Sequence, residues 1–133
     1  MSQADVEVAR STYEALGRGD FEAAARGFHT DATWHNTRDF PGESVCVGVQ
    51  AIMDFWRTLL SSFGEDGTTH VEHVAEGDGT VVLGIHSIGR GKASGVPIDG
   101  RYAVVFRMHD GKVSRADVYG TWEKALDAVG LTG

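Results

Sequence analysis

A single cysteine, Cys46, occurs among the 133 residues of the chain. The chain therefore cannot form an internal disulfide, which favours a reducing compartment. Apolar runs are also short, and none approaches the roughly 18 residues that a membrane-spanning helix requires. The first ten residues, MSQADVEVAR, lack the apolar core of a signal peptide. Together these absences predict a cytoplasmic protein that does not cross a membrane.

Basic residues are too few to balance the acidic ones. The sequence has 12 Lys and Arg against 19 Asp and Glu, which gives a net charge of −7 and a pI near 5.2. Phosphate backbones and anionic lipids repel such a chain. We expect neither nucleic acid nor a membrane surface as a partner.

The length and composition are those of a globular domain. A chain of 133 residues suits one domain, spanning residues 1–133, and the hydrophobic fraction of 41% is ordinary for a folded protein. A domain of this size buries about two-thirds of its unfolded surface. That is enough for a core and a cavity.

Helical spacing dominates the first half of the sequence. An apolar stripe from Val6 to Leu16 predicts one helix, which Gly17 ends. Asp20 is placed to cap a short second helix. The range Val49–Phe63 matches the helical template at every expected offset and predicts a third. Residues 37–47 between them are expected to form a loop.

Strand spacing dominates the second half, where β-branched residues are frequent. Asp110-Gly111 suits the turn of a hairpin, and Gly89–Gly95 is expected to be a flexible connection. A last short helix is possible at Trp122–Val129. Helices followed by a meander predict an α+β fold, with three helices packed on a strongly curved antiparallel sheet that forms a cone. The predicted strands are 32–36, Thr68–Ala75, Thr80–Ile88, Ile98–Met108 and Lys112–Tyr119.

Three segments resemble a known family. The run YEALGRGDFEAAARGFHTDATWHN is similar to the opening of nuclear transport factor 2-like proteins, and especially of their SnoaL-like branch. That branch includes polyketide cyclases, ketosteroid isomerases and limonene epoxide hydrolases. The helix GVQAIMDFWRTLL and the hairpin VVFRMHDGKV stand where such proteins carry their third helix and penultimate turn. The likeness is specific for the fold and weak for the activity, because this fold hosts enzymes and non-enzymes.

The resemblance implies catalytic positions, which this sequence fills differently. The ketosteroid isomerase base, an aspartate, falls on Asn36. The oxyanion-hole tyrosine falls on Thr12, with Tyr13 one position away, and the protonated aspartate of that hole falls on Val104. An amide cannot abstract a proton and a valine cannot donate one. We therefore do not expect steroid isomerisation by that mechanism.

The epoxide hydrolases give a mixed comparison. Their water-holding tyrosine and asparagine match Trp34 and Asn36, so the asparagine is kept. Their Asp-Arg-Asp arrangement falls on Ser87, on Ile85 and on either Val118 or Asp117, depending on a one-residue gap after Gly111. Most of the charged residues that activate the water in that mechanism are therefore missing here.

Strand alternation gives an independent prediction of the cavity lining, because side chains two apart share a face. The lining is apolar and aromatic with a few polar groups, which suits a bulky, mostly apolar ligand carrying one or two oxygens. Asn36 and Tyr102 are the candidate catalytic groups that would orient or polarise an oxygen. Each aromatic residue could instead be plain core. The predicted lining residues are Trp34, Asn36, Phe55, Trp56, Ile85, Ser87, Tyr102, Val104 and Phe106.

Three acids are candidates for moving a proton. Asp117 would line the cavity in one register of the last strand and would lie on the outer face in the other. Asp39 and Glu43, in the loop over the cavity mouth, could swing in, although a solvated loop is the ordinary alternative.

No metal or cofactor is expected. His70 and His73 are three apart, so on a regular strand they face opposite sides and cannot easily share an ion. The glycines near Gly89 do not open a helix after a strand, which argues against a dinucleotide site.

Two functions remain open on the sequence. One is a cofactor-independent enzyme that isomerises, cyclises, dehydrates or ring-opens a polyketide-, terpenoid- or steroid-like molecule. The other is a non-catalytic small-molecule-binding or scaffold domain. A homodimer is also expected, because the outer sheet face is too apolar to stay exposed and family members commonly pair through it. The residues of that face are Val82, Gly84, His86, Ala103, Val105 and Tyr119.

Overall fold

The computed structural model describes residues 3–36, 45–62, 67–91, 95 and 97–131. In these residues the chain forms helices at both ends and in the middle, and six strands between them. The elements in chain order are α1 (Gln3–Gly17), α2 (Phe21–Arg26), β1 (Phe28–His35), β2 (Val45–Val47), α3 (Val49–Ser61), β3 (Thr68–Gly77), β4 (Thr80–Arg90), β5 (Pro97–His109), β6 (Lys112–Tyr119) and α4 (Trp122–Val129).

The six strands form one curved, unclosed sheet in the order β2-β1-β6-β5-β4-β3. Neighbouring strands are antiparallel except for β1 and β6, which run parallel. The predicted α+β class is confirmed, with α1, α2 and α3 in the N-terminal half of the chain. The parallel pair is an addition to the predicted meander.

Local signals fix the ends of several elements. The Asp20 side chain accepts a hydrogen bond from the Ala23 N–H and so caps α2. Asp110 and Gly111 have φ of 49° and 79°, which are the left-handed values of the tight turn that joins β5 and β6. These two predictions, and the bounds of β6 and α4, are confirmed.

The structure differs from the sequence-based bounds most at three places, whereas β3 and β5 are longer than predicted by two residues each. β1 begins at Phe28, four residues before the predicted start, and an irregularity between Phe28 and Thr33 hides its alternation. The end of the predicted loop forms β2, a short strand paired with β1. β4 continues to Arg90 into the predicted connection because it stays paired with β5 as far as Pro97.

The two faces of the sheet have separate cores. The inner face packs against α1, α2 and α3 and holds the larger cluster, which includes Trp34, Leu83 and Phe106. The outer face packs against α4 and holds a smaller cluster around Val82 and Val105. Side chains alternate between the two along each strand. The candidate site therefore lies on the inner face, between the sheet and the first three helices.

Candidate functional site

Aromatic rings from four elements fill the inner face. Trp56 on α3 meets Tyr13 on α1 and Trp34 on β1 edge to face, with ring centroids 5.5 and 5.6 Å apart. Trp34 also lies 6.1 Å from the ring of Phe106 on β5. Edge-to-face contacts at these distances are the preferred arrangement of aromatic pairs. The four rings therefore form one continuous wall.

The predicted apolar lining is mostly tightly packed. The side chains of Trp34, Ile85, Val104 and Phe106 are at most 1% exposed, and Trp56 is 3% exposed. These residues lie on the inner face, as alternation predicts, and they act there as core. Phe55 is half-buried and packs against the same cluster from α3.

Four hydroxyl groups meet at one end of this wall, and we call them the hydroxyl cluster: Tyr13, Thr69, Ser87 and Tyr102. The Tyr13 hydroxyl is in hydrogen-bond contact with that of Tyr102, and its Oη lies 3.3 Å from Thr69 Oγ1. Ser87 Oγ donates to Thr69 Oγ1 over 3.3 Å. The cluster joins α1, β3, β4 and β5. Tyr102, Thr69 and Ser87 are half-buried, so the cluster is the more accessible part of the inner face.

Both tyrosines keep their protons at neutral pH. Burial is the main reason that the pKa of Tyr13 lies well above its usual value, and the nearby Tyr102 hydroxyl raises that pKa further. Burial also raises the pKa of Tyr102, although its hydrogen bonds oppose the rise. An un-ionised phenol can donate as well as accept. The cluster can therefore offer a hydrogen bond to an acceptor oxygen.

Asn36 follows β1 directly and lies beside the aromatic wall. Its Oδ1 accepts a hydrogen bond of 2.8 Å from the Trp34 indole N–H. The two residues thus face the same way, as their spacing predicts. The bond fixes the amide plane at a half-buried position. A role for Asn36 toward a ligand stays a prediction.

The second indole of the wall lacks such a bond. Trp56 Nε1 is buried and has no hydrogen-bond partner within the described part of the chain. An indole N–H can only donate, so no rotation of a proton can satisfy it.

These elements are those of a known family. A family model described as a SnoaL-like domain matches residues 9–116, which is more than half of the chain. The chain belongs to the SnoaL-like domain family. The resemblance predicted from the sequence is confirmed by this match. No curated protein matches the sequence of this SnoaL-like chain.

Solved structures share the fold of this SnoaL-like domain. Bal32a, from a soil-derived mobile gene cassette, has a TM-score of 0.81 at 20% identity, with 95% of each chain covered. A protein of Jannaschia sp. CCS1 described as a candidate SnoaL-like polyketide cyclase has a TM-score of 0.78 at 14% identity, over 100% of this chain and 98% of its own. TerC, co-crystallized with polyporic acid, has a TM-score of 0.77 at 16% identity, over 96% and 99%. At these identities the likeness shows the fold alone.

The inward-facing tyrosine of α1 in this SnoaL-like domain is Tyr13. Its ring is fully buried against the sheet, whereas Thr12 packs against Gly27, away from the hydroxyl cluster. The sequence comparison had placed the family tyrosine on Thr12. Tyr13 and Thr69 were not among the predicted site residues, although the helical stripe that contains Tyr13 already pointed it toward the sheet.

Asp117 does not line the interior, so the register that would have made it a candidate catalytic acid is wrong. Val118 pairs with Val104 in the inner cluster, which places Asp117 on the outer face. There Asp117 accepts hydrogen bonds of 3.0 to 3.2 Å from Arg115. Arg107 Nε lies 3.9 Å away. The observed register is the one without a gap after Gly111. It buries the apolar side chains of Ala116 and Val118 and leaves the ion pair of Asp117 on the outer face.

The other candidate acids, Asp39 and Glu43, lie outside the described residues. Within the described ranges no aspartate or glutamate is buried. The groups placed there for proton chemistry on the inner face are therefore phenols and hydroxyls.

The outer face is less open than its sequence suggests. α4 lies across it, so that Val82, Ala103 and Val105 are fully buried. A methyl group on Gly84 would come within 3.0 Å of the Trp122 ring, which shows how closely α4 approaches. The argument for a dimer from an uncovered apolar face is therefore wrong for these residues. The dimer itself stays a prediction.

The histidines of β3 share a face, contrary to the alternation argument. A bulge lies between Val71 and His73, so His73 turns outward and contacts the ring of Trp122 at a tilt, with 5.5 Å between the ring centroids. His70 pairs with His86 on that same outer face. No group of three or more potential metal ligands gathers within the residues described.

In the same described residues no helix is long and apolar enough to cross a membrane.

Proposed function

We propose that this SnoaL-like domain binds a bulky, mostly apolar small molecule that carries an oxygen, and that it isomerises, cyclises, dehydrates or ring-opens that molecule without a cofactor. The observation that carries the proposal is the hydroxyl cluster set against the aromatic wall. The aromatic rings are buried, so they would offer a large apolar contact surface to a ligand that displaces the side chains packed on them, and the cluster supplies polar groups at one end of the wall. Polyketide-, terpenoid- and steroid-like molecules have this combination of surfaces.

The hydroxyl cluster would act by donating a hydrogen bond to a developing oxyanion. In the order Ser87, Thr69, Tyr13, Tyr102, each hydroxyl can accept one hydrogen bond and donate the next. Such chains strengthen their last donor, because each bond polarises the following one. Donors held in place among apolar groups stabilise charge more than they would in water. Tyr102 would then be the catalytic donor, with Tyr13 as its positioning residue.

A proton acceptor is also required for isomerisation or dehydration. The raised pKa values leave Tyr13 and Tyr102 protonated, so they do not fill this role at neutral pH. Asp39 is our candidate, on its place in the sequence alone. Asn36 would orient the ligand oxygen beside Trp34.

Relatives offer support of a general kind. TerC was crystallized with polyporic acid, and the Jannaschia protein is described as a candidate SnoaL-like polyketide cyclase. Both names fit ligands that are bulky and that carry oxygens. We take from them the class of ligand and no particular compound.

A non-catalytic binding domain is the second candidate. It is favoured by one observation: no aspartate or glutamate in the described ranges is buried. A binding domain needs the aromatic wall and the hydroxyl cluster but no proton acceptor.

Deuterium exchange separates the two functions. The probe is 1-tetralone, an apolar ketone whose α-hydrogens exchange with D₂O only after enolisation. We expect the wild type to accelerate the exchange measured by proton NMR. Tyr102→Phe should slow it by about 100-fold, the usual effect of removing one oxyanion donor. Tyr119→Phe, which removes a hydroxyl from the outer face, is the matched control and should leave the rate unchanged. Binding of 1-tetralone without accelerated exchange would favour the non-catalytic domain.

A further inference from the structure

Two neighbouring indoles of the aromatic wall differ in one respect. Their rings lie 5.6 Å apart at nearly a right angle. The Trp34 N–H is satisfied by Asn36 Oδ1 at 2.8 Å, whereas the Trp56 N–H is buried and has no partner in the described ranges. We call the Trp34 N–H, which has an acceptor, the closed donor, and the Trp56 N–H, which has none in the described ranges, the open donor.

An open donor at this depth is unusual. Trp56 is only 3% exposed, so bulk water does not reach its N–H. Buried polar atoms in folded proteins are nearly always hydrogen-bonded, and an exception calls for a functional or structural cause. Burying the unbonded Trp56 N–H costs folding free energy, and a phenylalanine at this position would avoid that cost. A ligand that supplies the missing acceptor would explain why an indole stands there.

The neighbourhood places the open donor near the proposed binding site. Tyr13 touches the Trp56 ring at 5.5 Å between centroids, and its hydroxyl belongs to the hydroxyl cluster. Both rings are at most 3% exposed, so a ligand that displaces the side chains packed on them would meet Trp56 and the cluster at once.

We propose that the Trp56 N–H donates a hydrogen bond to an acceptor oxygen of the bound ligand, and so selects ligands with a carbonyl or similar oxygen over hydrocarbons of the same shape. This inference rests on the proposed function. A hydroxyl group can form a hydrogen bond with either a donor or an acceptor, but an indole N–H can only donate and therefore needs an acceptor. The oxygen opposite Trp56 must therefore offer a lone pair, as ketones, quinones, esters and carboxylates do.

The test compares 1-tetralone with tetralin, which has the same bicyclic skeleton but no oxygen. Each is added to the ¹⁵N-labelled protein, and the three indole N–H signals are followed by NMR. We expect 1-tetralone to move the Trp56 N–H signal to lower field, as a new hydrogen bond does. Tetralin should cause no such downfield shift from the ligand-free position. Trp122, on the outer face, is the internal control whose signal should move little.

Variants give the same answer by affinity. Trp56→Phe keeps an aromatic ring and removes the N–H, so it should weaken 1-tetralone binding by about threefold to tenfold. Its affinity for tetralin should be unchanged. Trp122→Phe removes an indole N–H from the outer face instead and should not alter the preference for the ketone. The wild-type spectra decide the matter if either variant fails to fold.

Two failures would be distinguishable. If both compounds bind and the Trp56 signal does not respond to the ketone, the role of Trp56 is wrong while the proposed binding function stands. If neither compound perturbs any inner-face signal, the proposed function fails and the inference fails with it.

Discussion

The two faces of the sheet use polar groups in opposite ways. On the inner face the polar groups are neutral hydroxyls and indoles set among aromatic rings, and no described carboxylate is buried there. On the outer face the polar groups are ions. Arg101 Nε lies 2.9 Å from Glu72 Oε1, and Arg115 Nε lies 3.0 Å from Asp117 Oδ2. Charges remain where water can solvate them, and the interior keeps only groups that need no counter-ion.

The outer face is itself divided into two parts. One part is apolar and is covered by α4, so it belongs to the folded core of the chain. The other carries the ion pairs. The hydrogen bond from Arg101 lowers the pKa of Glu72, but exposed pairs of this kind contribute little to stability. The comparison predicts that a charge is costly on the inner face, that neutral phenols there resist ionisation, and that the outer ions can be removed with little effect.

The largest effect should follow from placing a carboxylate in the interior by Val104→Asp. Val104 is fully buried beside Leu83 and Val118, which offer no hydrogen bond. Burial without a partner can raise a carboxyl pKa by several units, which corresponds to a loss of about 4 kcal/mol in the free energy of unfolding at pH 7. Urea unfolding measures the loss. Because the carboxyl pKa would be higher in the folded state, the loss should shrink as the pH falls toward 5.

Two variants control this measurement. Val104→Thr changes the same side chain to a neutral polar one of similar size and should cost less than the aspartate. Lys112→Asp places the same carboxylate at an exposed position on β6 and should change stability by no more than about 0.5 kcal/mol. Equal costs for Val104→Asp and Lys112→Asp would contradict the contrast between the faces.

An intermediate effect is expected at alkaline pH. The pKa values of Tyr13 and Tyr102 are raised by burial, so the unfolded chain, with tyrosine pKa values of about 10, loses these protons first. Their contribution to stability is full below about pH 10 and is lost as the pH rises through the folded-state values, by up to about 1.4 kcal/mol per pH unit and group. Urea unfolding at pH 9, 10 and 11 measures this slope.

The alkaline slope is assigned by removing the two phenols. Lysines and other groups titrate in the same range, so the informative quantity is the difference between proteins. The Tyr13→Phe/Tyr102→Phe variant should lose less stability between pH 10 and 11 than the wild type does. Parallel slopes would mean that the phenols ionise equally well in the folded interior.

Sequence periodicity predicted the elements that depend on their own residues. α3 carries apolar residues at every helical offset, and the Asp110-Gly111 turn is encoded by two residues that accept left-handed backbone angles. Pairing between distant strands is a different matter. β1 pairs in parallel with β6, which lies about 80 residues further along the chain. No local pattern in residues 28–35 predicts that pairing. The bulge in β3 likewise reversed the predicted side of His73.

The site was predicted in part for the same reason. Trp34, Trp56 and Tyr102 follow from alternation and helical spacing and do lie on the inner face. The hydroxyl cluster depends on α1, β3, β4 and β5 meeting at one point, so Tyr13 and Thr69 looked like ordinary core and strand residues. Helical spacing predicted that the Trp56 indole N–H faces inward, but not that it lacks a partner, because that depends on which acceptors fail to reach it.

The smallest effect is expected from Asp117→Asn, which tests the outer ions at the position once expected to be catalytic. The substitution removes a charge that bridges Arg115 and Arg107. The Asp117 side chain is only 13% exposed, but both arginines are about half exposed and water screens their charges, so the ion pairs should contribute no more than about 1 kcal/mol to the free energy of unfolding. The affinity for 1-tetralone and its deuterium exchange should stay at wild-type levels, because Asp117 points away from the hydroxyl cluster. Urea unfolding and the exchange assay measure the two quantities. A loss of exchange without a loss of stability would return Asp117 to the site, and the outer face would then have a part in the chemistry that its ion pairs give no reason to expect.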